Sequence, residues 1–155
     1  MVNKDTLKSL AFFDGFSEEM LEKLAKKAEM KEYIMGLYLN WRRPSADKMW
    51  VILRGTISLT VENDRGETIQ LETLQEGDVL GFSSFIDFEP KEFISDARVA
   101  VPARVLVFRA DDILTLCHQD LEFGFLMMKK IAMIAKQRLI TRTRLLCDIS
   151  HEKEA

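Results

Sequence analysis

The sequence predicts a mainly β fold with flanking helices: a roll of short strands closed by one long C-terminal helix. Three observations lead there. Between Lys31 and Arg109, short β-prone segments alternate with glycine turns. Between two of those segments stands Glu76-Gly-Asp-Val-Leu-Gly-Phe-Ser-Ser-Phe-Ile86, where two glycines lead into a run that can open a helix. Glycine lets backbone N–H groups approach an anion closely, so this run is a candidate phosphate cradle. From Asp120 onward no proline, and only Gly124, interrupts a helical pattern. At 155 residues the chain fits one domain, or one domain plus a long terminal helix.

The elements follow in order. Leu7, Leu10, Phe12, Phe13 and Phe16 form an aromatic lead-in that should pack on the next layer. Ser17 can N-cap a helix whose first turn, Glu18 and Glu19, suits the positive end of the dipole. Met20, Leu21, Leu24, Ala25 and Ala28 give that helix one apolar stripe. Six strand candidates come next: Tyr33–Leu39, Met49–Leu53, Thr56–Val61, Thr68–Leu71, Phe93–Ala100 and Arg104–Phe108. Trp41 and Trp50 read as strand residues. Asn63-Asp-Arg-Gly66 is the clearest hairpin turn. Asp111 and Asp112 are placed to cap a short helix. The last helix should run to about Asp148, roughly 40 Å at 1.5 Å per residue.

That last helix is apolar on two faces. One carries Met127, Ile131, Ile134, Thr141 and Leu145, with Arg138 interrupting. The other carries Phe125, Met128, Ala132, Ala135 and Leu139. Two faces need two neighbours, the roll and the same helix of a second subunit. Met127, Ile131, Ile134, Arg138 and Leu145 are expected to form the dimer interface. The chain divides into a helical lead-in (1–30), a β-roll (31–110), C-terminal helices (111–150) and a tail (151–155), all one domain.

Composition narrows the function. A net charge of −3 and the mixed polarity argue against bulk nucleic acid as a partner and against disorder. No apolar run approaches the roughly 20 residues that span a bilayer, and the polar N-terminus lacks a signal-peptide core. Cys117 and Cys147 read as reduced, buried thiols of a cytosolic protein. His118 and His151 have no partners at metal-ligand spacing. The pairs Arg42-Arg43 and Lys129-Lys130 read as solvated faces. No nucleophile with a His base, Walker loop or dinucleotide fingerprint is present, so no enzyme is expected and no cofactor is named.

In order and spacing, Phe12-Phe13-Asp-Gly-Phe-Ser-Glu-Glu, Gly36, Met49-Trp-Val-Ile-Leu-Arg-Gly55, Gly66 and Gly77-Asp-Val-Leu-Gly81 resemble the cyclic nucleotide-binding domain. More narrowly, the chain resembles the sensor half of catabolite-activator and fumarate-nitrate-type regulators, over about Leu10 to Ser150. The resemblance implies a double-stranded β-helix, or jelly-roll, of eight strands and a long dimerisation helix. It also implies a cradle in which Gly-Glu is followed, after several apolar residues, by Arg: the Glu holds the ribose hydroxyl and the Arg grips the cyclic phosphate. Here Gly81 matches, but Phe82 stands for the Glu. Lys91, Glu92 or Phe93 stands for the Arg, depending on register. Arg43 stands where a turn glycine is usual.

Phe82 then either lines an apolar ligand pocket or fills the old pocket as core. The candidate ligand-binding residues are Gly81, Phe82, Ser83, Ser84, Lys91, Ser95, Arg142 and Thr143; serines that merely cap backbone, and an exposed or intersubunit Arg142-Thr143, are the plainer alternatives. The expected function is a cytoplasmic, homodimeric sensor of a small molecule or nucleotide that does not hold cyclic AMP in the usual way. One alternative is a scaffold that has lost its ligand. Another is the sensor half of a transcription regulator without its DNA-binding domain, since Leu145-Leu-Cys-Asp-Ile-Ser150 resembles the start of the hinge to such a domain. The chain by itself is expected not to bind DNA.

Overall fold

A computed structural model describes residues 1–41 and 45–154. The expectations for Arg42, Arg43 and Pro44 lie outside the described residues, as do those for the side chains of Ser150 and His151. The lead-in folds as α1 (Lys4–Lys8), a 3-10 turn (Ala11–Phe13) and α2 (Glu18–Lys27). Asn3 Oδ1 caps α1 by accepting from Asp5 N at 3.0 Å. Ser17 Oγ caps α2 by accepting from Met20 N at 3.2 Å, as the sequence predicts. Leu7, Leu10, Phe12, Phe13 and Phe16 are all buried. Their rings pack edge-on, with Phe12 and Phe13 centroids 4.9 Å apart.

The strands are β1 (Glu29–Tyr33), β2 (Tyr38–Asn40), β3 (Lys48–Glu62), β4 (Thr68–Leu74), β5 (Val79–Leu80) and β6 (Asp96–Arg109). Every pairing is antiparallel. β6 pairs with β1, β2 and β3, and β3 also pairs with β4 and β5. The expected strand Tyr33–Leu39 is instead the end of β1, a turn, and the start of β2. Gly36 N donates to the Val99 carbonyl in that turn. Four expected short strands merge into the two long ones, which reconciles six strands with the eight that the resemblance implies. The register of β3 on β6 shifts between Ile52 and Ile57, and there the pair bends into a roll. Gly55 allows the bend: its φ is 92°, and a Cβ would lie 2.4 Å from the Pro102 carbonyl.

Alternation along β3 and β6 builds two cores from one sheet. Met49, Val51, Leu106 and Phe108 face the helices and join Leu24, Ile113, Phe123, Met127 and Ile131. Trp50, Ile52, Val105 and Val107 face inward and fill the roll with Ile57, Leu59, Leu80 and Phe93. The β3–β4 turn is closed by Asn63 Oδ1, which accepts from Arg65 N and Glu67 N at 2.9 Å each.

α3 (Ala110–Gln119) follows β6 directly. Asp111 and Asp112 lie in its first turn rather than at its cap, which is Arg109. They act on the helix dipole, and Asp112 also pairs with Lys27 at 3.0 Å. α4 (Leu121–Glu154) begins at Asp120, whose Oδ1 accepts from Phe123 N. It passes Asp148, where the sequence places its end, and runs to Glu154, about 50 Å in all. Both cysteines are free, but Cys147 is exposed, against the expectation of burial. Burial pushes the half-buried Cys117 thiol up.

Phe123 joins α4 to the lead-in through an edge-on contact with Phe16 at 5.5 Å. Phe123→Ala should cost about 3–4 kcal/mol in urea unfolding. A loss below about 1 kcal/mol would show that this contact does not hold the layers together.

Candidate ligand site

β5 ends at Leu80, and Gly81 takes a left-handed turn with φ 78°. No other residue fits, because a Cβ there would sit 2.4 Å from the Lys48 carbonyl and 2.9 Å from the Trp50 ring. The chain then makes a 3-10 turn, Phe82–Phe85. Between this turn, the roll and α4 lies a cavity of about 300 Å³. Leu59, Leu80, Phe82, Phe93, Ile94, Ala135 and Leu139 give it mostly apolar walls. Asn40, Ser83, Ser95, Arg138 and Arg142 supply the polar groups. Asn40 is buried and donates from Nδ2 to the Ser95 carbonyl at 2.8 Å, which fixes the wall beside Ile94.

The charges lie on the α4 side. Arg138 Nη1 is 3.0 Å from Glu72 Oε1 of β4, and Arg142 Nη2 is 3.8 Å from the same oxygen. Arg138 Nη2 also donates to the Val79 carbonyl of β5. Burial pulls the Arg138 guanidinium below its usual range, while Glu72 and Asp78 oppose that shift. Arg142 Nε is buried without a hydrogen-bond partner. Among the described residues, no cation lines the side of the cavity formed by the Gly81–Phe85 turn.

Residues 31–120 match the sequence profile of the family described as cyclic nucleotide-binding domain. The chain belongs to that family. Its fold recurs in several solved structures. A protein assigned as cyclic nucleotide-binding from Geobacter metallireducens is 23% identical, with a TM-score of 0.78 over 90% of this chain and 99% of that one. The sensor domain of the transcriptional regulator DNR from Pseudomonas aeruginosa is 16% identical, with a TM-score of 0.72 over 88% of this chain and 90% of that one. The catabolite activator protein of Thermus thermophilus is 19% identical, with a TM-score of 0.73; the match covers 90% of this chain and 62% of that one. The antiparallel roll with flanking helices and a long C-terminal helix is thus the fold of this family and of regulator sensor domains.

Within this cyclic nucleotide-binding domain the predicted site residues separate. Gly81, Phe82, Ser83, Ser95 and Arg142 meet at the cavity. Phe82 is half-buried against the helical core and walls the cavity without filling it. Ser84 is fully buried behind the turn, its Oγ without a partner, and does not line the cavity. Lys91 does not line it either; of Lys91, Glu92 and Phe93, only Phe93 does. Its ring, buried and 5.5 Å from Trp50, turns inward with the roll core. Thr143 is exposed and donates from Oγ1 to the Leu139 carbonyl, away from the cavity.

The α4 stripe assigned to the dimer is corrected here. Met127 and Ile131 are buried in this subunit's own core, and Ile134 packs half-buried against it. Arg138 turns to the cavity, and Leu145 is half-buried. The inner face is therefore the one that reads outward in sequence. Both faces repeat at helical spacing; the burial of Phe123, Met127 and Ile131 and the Arg138 ties distinguish them. Glu72, Asn40 and Arg138 are site residues that sequence reasoning missed. Alternation along β4 gives Glu72 no sign of a partner on a distant helix.

Gly81→Ala should destabilise the domain by about 2 kcal/mol or more, since it adds a strained φ and a backbone clash. Denaturant unfolding within about 0.5 kcal/mol of wild type would contradict the tight turn described here.

Proposed function

We propose that this domain is a cytoplasmic, dimeric and non-enzymatic regulatory sensor, whose cavity under α4 takes a small ligand other than a cyclic nucleotide held in the family's usual manner. One observation carries this reading. The cavity is open, yet its turn side presents Phe82, which stands for the Glu of the family pattern, and Phe93, one of the three residues that could stand for its Arg. A cyclic nucleotide there would bury its ribose hydroxyl without a carboxylate acceptor and its phosphate without a cation on that side. Each charge-assisted hydrogen bond contributes about 1.5–3 kcal/mol, so losing two removes about 3–6 kcal/mol, or roughly 10²- to 10⁴-fold. An open cavity also favours a sensor over a scaffold with a filled pocket. Calorimetry should show cyclic AMP and cyclic GMP binding no tighter than high micromolar. A low-micromolar isotherm would defeat this reading.

The dimer would form on the outer face of α4. Leu121, Phe125 and Leu139 are exposed, and Met128, Ala132 and Ala135 lie between them. Leu121, Phe125, Met128, Ala132, Ala135, Leu139, Arg142, Leu146 and Ile149 follow one another at alternating spacings of four and three. That is a coiled-coil seam, and a second copy of the same helix is its natural complement. Sedimentation at tens of micromolar should show a dimer. Phe125→Glu with Leu139→Glu should give a folded monomer, whereas Ile131→Glu should unfold the subunit, because Ile131 is 3% exposed. A folded monomer from Ile131→Glu, or an intact dimer from the double variant, would put the seam on the wrong face.

A further inference from the structure

We propose that the cavity takes a compact organic carboxylate, its apolar body against Phe82, Phe93 and Leu139 and its single negative charge on Arg142. This deepens the sensor reading above and rests on it. Size sets the first limit. At about 30 Å³ per water-sized group, a cavity of about 300 Å³ holds on the order of ten such groups. Charge sets the second. Arg138 has both Glu72 and Asp78 beside it, whereas Arg142 has a 3.8 Å approach to Glu72, so Arg142 is the less compensated of the two cations.

The two arginines are not equivalent. Arg138 is already engaged, at the Val79 carbonyl and at Glu72 3.0 Å away. Arg142 keeps only a 3.8 Å approach to Glu72, and its Nε is buried without a partner. A carboxylate accepting from the Nη groups of Arg142 would replace that weak approach to Glu72 and neutralise the guanidinium. A neutral ligand does only part of this. A phosphate monoester, at about −1.5 to −2, would bring excess negative charge against apolar walls. A sugar would bury several hydroxyls beside walls that offer few acceptors.

Calorimetry with benzoate, phenylacetate, trans-cinnamate and hexanoate, each beside its primary amide, tests this, with phenyl phosphate as a further arm. The acids should bind about 10- to 100-fold tighter than their amides. Arg142→Met should abolish that preference while the circular dichroism spectrum stays unchanged. Glu72→Gln should raise the preference for acids over amides several-fold, because it removes the anion that competes for Arg142; a preference that falls would count against Arg142 as the anchor. Amides binding as well as acids, or phenyl phosphate binding better than benzoate, would overturn the carboxylate and leave the sensor reading standing. An acid preference that survives Arg142→Met would overturn the anchor. No binding by either series to the folded dimer would overturn both the carboxylate and the sensor reading.

Discussion

The inner stripe of α4 fixes the geometry of the site. Phe123, Met127 and Ile131 sink into the helical core, and one turn past Ile134 the contact changes character. Arg138 there reaches the Val79 carbonyl and Glu72, tying the helix to β5 and β4 by charge and hydrogen bonding rather than by packing. The cavity lies beside that tie, with Ala135, Leu139 and Arg142 of α4 on its wall. A buried arginine is costly to desolvate, so its position is tolerated only with partners in place. The same partners hold the long helix over the Gly81 turn. Removing Glu72 therefore changes both the charge of the cavity and the strength of the α4 tie.

Much of the fold was legible because it rests on local rules. Ser17 and Asp120 cap their helices through one oxygen each, and Asn63 closes its turn in the same way. Period-two alternation along β3 and β6 separates residues that face helices from residues that fill the roll. The misreadings come from places where periodicity does not decide. Tyr33–Leu39 has strand composition, but Gly36 breaks it into a turn. Loop residues 86–95 carry no repeat, so the inward position among Lys91, Glu92 and Phe93 could not be chosen from spacing. The outward face of α4 was the larger error. Two stripes of similar apolarity lie on that helix, and the long-range contact of Phe16 with Phe123 selects the inner one.

The cavity illustrates the same division. Gly81, Phe82, Ser83, Ser95 and Arg142 are site residues found from sequence, because the family pattern marks the turn and the helix that faces it. Its electrostatics were not found that way. Glu72 sits mid-strand in a hairpin and reads as a solvent-facing carboxylate until α4 is laid across it. Arg138 reads as a charge interrupting an apolar stripe. Only together do they form a partly buried pair, with Asp78 also near Arg138 and Arg142 near Glu72.

In the proposed dimer Arg142 would belong to two surfaces at once. It lines the cavity, and it occupies a position of the four-three repeat on the outer face of α4. In a parallel dimer built on that seam, each Arg142 approaches its own copy across the two-fold axis. Two like charges in a partly desolvated seam repel, and the repulsion grows as water is excluded. Glu72 offsets this weakly, at 3.8 Å and with Arg138 as a closer competitor. An anion held in each cavity would neutralise both guanidiniums and relieve the repulsion in the C-terminal part of the seam. Linkage then requires the converse: a tighter seam would raise the affinity of the cavity for the anion by the same factor. In the proposed dimer such an arrangement would report the ligand without a moving lid, because Arg142 would meet the ligand and also take part in the contact between subunits.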